Sequence, residues 1–213
     1  MTFLLLKIAQ RFCLFHLEYL SLPRHHFPMT SDGQPSSNAL PDGVRIVPMA
    51  IPGWDASRAA DSFRAFAQFV HTQAKAILVR DGRHAEMLFC MPLDGHGHVV
   101  LWGSIDRDHQ ASWIRRHISE TYAFGVIHVV EVWMRMAPNP NDHILKQVMA
   151  GEIKVSELRP EHRKEALMVS AQSRDGWSMA WSDEIVRGID GKPSFGTCHA
   201  VTDYEGRFGK LFG

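Results

Sequence analysis

Two short polar turns constrain this chain more than any other part of its sequence. Asp94-Gly95-His96-Gly97 separates residues 84–92 from 98–104, and Ser173-Arg174-Asp175-Gly176 separates 163–172 from 177–187. Apolar runs joined by so tight a connection have only antiparallel pairing open to them. With Pro92 set opposite His98, Ala85, Met87, Phe89 and Met91 share a face with Val99, Leu101, Gly103 and Ile105. That face is all apolar and is predicted to be buried. The reverse face sets His84, Glu86, Leu88 and Cys90 beside Val100, Trp102, Ser104 and Asp106, a mixture suited neither to dry core nor to open water. The second hairpin admits two registers, so its faces stay unassigned.

Helical spacing surrounds these strands. Asp55 caps a run in which Ala59, Phe63, Phe66, Ala67, Val70, Ala74 and Ile77 recur every three or four residues, and Asp81-Gly82 supplies the stop. A second helix is predicted over 106–123, striped by Trp113, Ile114, His117, Ile118 and Thr121, and a short one over 142–150. Between them, 124–136 reads as a long strand. Its even positions are apolar apart from His128, and its odd positions run Ile127, Val129, Glu131, Trp133, Arg135. The expected fold is α+β: a two-layer sandwich with a mainly antiparallel five-stranded sheet and its helices on one face. Residues 55–196 are expected to form a single domain, preceded over 1–54 by an N-terminal leader, partly disordered or a mis-annotated start, and followed by an irregular tail over 197–213. Charged and polar residues interrupt the apolar stretch of 1–22 every few positions, so neither a membrane span nor a secretory signal is expected. Met29 opens a Pro-, Gly- and Ser-rich segment and is itself a candidate start.

Composition excludes several functions. The 23 Lys+Arg balance 23 Asp+Glu to a formal net charge of zero, leaving no uniform positive field for a nucleic acid backbone. The cysteines Cys13, Cys90 and Cys198 are odd in number and widely spaced, as in the free thiols of a reducing cytoplasm. No Gly-rich phosphate loop and no nucleophile elbow occurs, so no cofactor and no acyl-transfer enzyme is expected. Among 13 histidines the tightest group is His96 and His98, which with Asp106 could hold a metal as in the His-x-His set of a deubiquitinase-like amide hydrolase. Ser104 and Asp106 come too early for that pattern, and His96 sits in a turn, so a solvated turn without metal is the reading adopted. Cys90 reads as a core thiol. Glu131 on a central strand needs a cationic partner, and Arg163 is the candidate.

Three segments carry a resemblance: Val130-Glu131-Val132-Trp133, then Arg159-Pro160-Glu161-His162-Arg163-Lys164-Glu165-Ala166-Leu167, then Ile185-Val186-Arg187 with Gly191. Together they resemble the Glu-x-Trp strand, Pro-x-x-Arg-x-Glu strand and closing basic strand of small α+β proteins from bacterial and phage genomes. The resemblance covers roughly 55–196 and implies a bacterial, intracellular, compact domain; it implies no activity. On the residues, the expected function is a non-enzymatic interaction or self-assembly domain, a homodimer or a partner of another protein. It would use an open sheet face bearing Trp102, Glu131, Trp133, Arg135 and Arg163. The alternative is a metal-dependent hydrolase using His96, His98 and Asp106.

Overall fold

The computed structural model describes residues 43–51, 53–102, 107–135, 142–202 and 211–212. Seven strands, β1 (Val44–Ala50), β2 (Met87–Met91), β3 (His96–Trp102), β4 (Gly125–Met134), β5 (Lys164–Ser173), β6 (Ser178–Arg187) and β7 (Pro193–Thr202), form one sheet. Their order is β1-β3-β2-β4-β5-β6-β7, and every neighbouring pair is antiparallel. Among the described residues three α-helices accompany it: α1 (Ala59–Asp81), α2 (Arg107–Glu120) and α3 (His143–Met149). None of the described helices is long and apolar enough to cross a membrane.

The sheet has seven strands rather than the expected five. The extra two are its edges, β1 drawn from the supposed leader and β7 straddling the expected boundary between domain and tail at 196/197. Pro48 hid the first and Pro193 and Gly196 the second, since these residues break interior strands but are tolerated at an edge. The helices also do not share one face. α1 lays Phe63, Phe66, Ala67, Val70, Ala74, Ile77 and Leu78 on Met87, Phe89, Met91, Ile127, Val129, Leu167, Val169 and Trp181. α2 lays Trp113, Ile114 and Ile118 on the reverse side, against Leu88, Cys90, Val100, Trp102 and Val126. With both faces covered, all five residues of β2 are buried, which explains a run that alternation alone does not describe.

Local signals set these elements as the sequence leads one to expect. The Asp55 carboxylate accepts from the Ser57 N–H at 2.9 Å in the 3-10 turn that starts α1. Gly82, at φ 78°, ends the helix with its N–H on the Leu78 carbonyl at 2.8 Å. Gly125 must be glycine because a Cβ there would lie 2.5 Å from the Phe63 ring, so its absence lets α1 sit close on β4. The first hairpin turns one step earlier than expected, over 92–95, with the Gly95 N–H on the Pro92 carbonyl at 3.2 Å and Gly95 at φ 76°. His98 therefore faces Cys90 instead of Pro92. The facing pattern survives this change because both positions move by an even step in total. The second hairpin sets Gln172 against Ser178, which turns Met179, Trp181 and Asp183 toward α1.

Candidate functional site

The residues expected to share one face do not. Trp102 lies under α2, 4% exposed, with its ring edge-on to Trp113 at 5.1 Å. Trp133 stands on the opposite, α1 side near the end of β4, 45% exposed, with the Arg163 guanidinium 4.3 Å above its ring. One strand, β2, intervenes between Trp102 on β3 and Trp133 on β4, and their side chains leave the sheet on opposite sides, so the described residues form no open Trp/Glu/Arg face. Glu131 is matched by Arg187, not Arg163, with 3.5 Å between Nη2 and Oε2, and it also accepts the His84 N–H. Burial raises the Glu131 pKa, with the Glu165 charge adding to it, against the lowering effect of the His84 N–H and Arg187. Arg135 is held by Asp142 at 2.7 Å and by the His162 carbonyl at 3.3 Å, where Asp142 also caps α3. Arg163 reaches the Ser156 carbonyl. Of the five, only Trp133 offers a substantial exposed surface.

The expected metal set is not assembled either. His96 is exposed, and Asp94 accepts from its backbone N–H at 2.9 Å; Asp106 lies outside the described residues. His98 instead turns beneath α2. There it joins Cys90, its cross-strand partner, and His117 from the helix, and the three ligand atoms lie within 4.8 Å of one another. The Nε2 atoms of His98 and His117 are 2.5 Å apart, closer than the roughly 2.9 Å of an ordinary N–H···N bond. Their rings stand edge to face at 4.7 Å, and Trp113 stacks under His117 at 4.3 Å, fixing its plane. Burial and the neighbouring His117 charge press the His98 pKa down to about 4, and burial with Arg116 lowers that of His117. Both imidazoles are thus neutral near pH 7. Burial pushes the Cys90 thiol up to about 12.

The local sequence explains the meeting. β2 and β3 pair so that alternate residues Glu86, Leu88 and Cys90 lie beside Trp102, Val100 and His98. α2 presents Gln110, Trp113 and His117 at three- and four-residue intervals to the same row. Its first turn closes on a polar pair, Glu86 accepting from Gln110 at 2.7 Å with His128 Nε2 at 2.8 Å. Its last turn closes on the Cys-His-His group. The chain's end also reaches this layer, since Leu211 and Phe212 pack against the same core and the Leu211 N–H donates to Gln172 at 3.1 Å.

A second cluster lies on the α1 side. Asp183, fully buried, faces His71 Nε2 at 2.6 Å and also pairs with Lys75, while Cys198 stands across from it on β7. His71 stacks on Trp181 at 5.0 Å, and the Lys75 ammonium lies 4.6 Å over Phe195. Burial alone would raise the Asp183 pKa, but hydrogen bonds from Lys75 and His71 outweigh it and hold the group ionised. Burial and the Asp183 carboxylate push the Cys198 thiol up, so it is no activated nucleophile.

Both clusters escaped the sequence reading. In the sequence Cys90 reads as a core thiol, and the one-step difference in the turn sets it opposite Val100 instead of His98. His117 was visible as part of the α2 stripe but had no face to meet while all helices were placed on one side. Comparison with family models, with curated proteins and with solved structures returned no match.

Proposed function

We propose that this chain is a non-enzymatic self-assembly module that associates through β7, the last strand of its sheet. The observation that carries this reading is the character of that edge. Pro193–Thr202 spans ten residues without one charged side chain, eight of them are exposed, and among the described residues the strand is paired on one side only. An edge of this length offers a row of free N–H and C=O groups as a template for another strand. The other edge is blunted: β1 has seven residues and carries Arg45 and Pro48, the latter without an N–H to give. The occupant is a second copy. Two antiparallel β7 strands match each other about a two-fold axis, and a formal net charge of zero removes the long-range repulsion that keeps like molecules apart.

In this reading the chain acts as a homodimer in a reducing, bacterial cytoplasm, where Cys90 and Cys198 persist as thiols. The surface differs from the Trp/Glu/Arg face that the sequence suggests, since Trp102 is core and Glu131 and Arg135 are paired internally. Sedimentation over a concentration series tests it. Wild-type protein is expected to dimerise, and the double substitution His199→Lys with Val201→Lys to leave a monomer whose stability changes by no more than ~0.5 kcal/mol. Trp133→Ala is expected to leave the dimer intact. A wild type that stays monomeric at high concentration, or a lysine variant that still pairs, refutes the proposal.

A further inference from the structure

We infer that Cys90, His98 and His117 form a binding site for a thiolate-preferring divalent ion of the zinc class. The inference is independent of the β7 reading, because the site lies under α2 at the opposite half of the sheet. Three observations converge on it. The donor set of one thiol and two imidazoles is the kind that selects zinc and its relatives over magnesium or calcium, which take oxygen. The ligand atoms come from three separate elements and gather within 4.8 Å, and two of them aim at each other at 2.5 Å. A tetrahedral ion at about 2.0–2.1 Å from each imidazole nitrogen sets those nitrogens roughly 3.3 Å apart. The two rings, both only half-buried, therefore open by less than about 1 Å to admit it.

The second cluster sharpens the assignment. His71, Asp183 and Cys198 also gather a Cys and a His, but Lys75 already supplies a cation to their carboxylate. At the Cys90 group the charge that bears on His117 is that of Arg116, which is exposed and 3.9 Å from Glu120, while the packed neighbours are Trp113, Trp102, Leu88 and Val100. Binding follows one balanced step: the ion replaces the Cys90 thiol proton, which leaves to solvent, and takes a lone pair from each neutral imidazole. Three protein ligands leave a fourth position for water or a further donor, as in zinc sites that are not purely structural.

The probe is Co²⁺, added to the full-length protein after reduction and chelator treatment. One equivalent is expected to produce the visible spectrum of tetrahedral cobalt with a thiolate-to-cobalt charge-transfer band, and one equivalent of Zn²⁺ to abolish both. Cys90→Ala is expected to lose the charge-transfer band, whereas Cys13→Ser and Cys198→Ser retain it. His117→Gln is expected to weaken binding by at least about tenfold. It changes a half-buried residue on the helix surface, so it decides the matter should Cys90→Ala fail to fold. A wild type without the band, a band that follows Cys13 or Cys198, or a His117→Gln variant with unchanged affinity overturns the inference.

Discussion

The two faces of the sheet each bury a group of histidine and cysteine, and they handle the same problem in opposite ways. On the α1 side the group is built round a charge: Asp183 is fully buried and is met by His71, Lys75 and Cys198, so anion and cation are supplied by the chain itself. On the α2 side the group is built from neutral donors, with two imidazoles whose pKa values are driven down and a thiol driven up. The first arrangement is complete as it stands. The second gathers three donor atoms within 4.8 Å of one another, and Arg116 acts on it only from the exposed side of the helix. The presence of a histidine and a cysteine near each other therefore says little; what separates a structural ion pair from a ligand site is whether a cation of the chain is already bound within the group.

Removing the carboxylate at the centre of the first group is the strongest way to test this contrast. Asp183→Ala leaves Lys75 and His71 without their acceptor and is expected to cost about 3–5 kcal/mol, read from the urea midpoint. A loss below about 1 kcal/mol would mean that the group is not the closed ion pair described. Next in size is the response to metal. At one hundred times its dissociation constant Zn²⁺ adds ~2.7 kcal/mol to a protein that binds it only when folded. That gain is expected in the wild type and in Lys75→Met, which disturbs only the other cluster, and is expected to vanish in His117→Gln.

Acid provides a third comparison. The folded-state pKa of Asp183 is lowered, so its contribution is complete above the ordinary carboxylate range near pH 4 and is lost as pH falls through the lower folded value. The groups facing it are His71 and Lys75 from α1 and Cys198 from β7. The stability gap between wild type and Asp183→Ala is thus expected to narrow only below about pH 4. Glu131 has the opposite sign: its folded pKa is raised, and what it contributes is present at low pH and lost as pH rises through that raised value. Glu131→Gln keeps an acceptor for the His84 N–H and removes a desolvated charge. It is expected to change stability by under ~1 kcal/mol near pH 7, the smallest effect of the series. A loss larger than the one caused by Asp183→Ala would reverse the ranking of these two carboxylates.

The interior of the sheet was legible in the sequence, and the physical reason is plain. β2 to β6 are bounded by tight turns or capped helices, so turn chemistry and apolar spacing specify them without reference to the rest of the chain. The edges were not, because β1 and β7 owe their structure to pairing with β3 and β6 and carry the very residues that discourage a strand in isolation. The site was partly legible. His98 stood out through its neighbour His96, and the α2 stripe included His117, but joining them needed Cys90 opposite His98, a matter of one step in a turn held by Trp54. The Trp54 indole donates to the Leu93 carbonyl at 2.7 Å and packs where a side chain on Gly95 would have to lie. Such a long-range brace leaves no local mark. The placement of Trp102 and Trp133 on opposite sides has the same origin: each strand's alternation was read correctly, and the mistake lay in matching the phase of one strand to that of another.

The strand order also governs reach. β1 and β7 are six strand spacings apart, about 29 Å along the sheet. Back-to-back association through β7 would carry the two β1 strands to the far ends of a continuous ribbon roughly 60 Å across. The two copies of Val44, the first residue of β1, then sit at those distant tips, on opposite sides of the central seam.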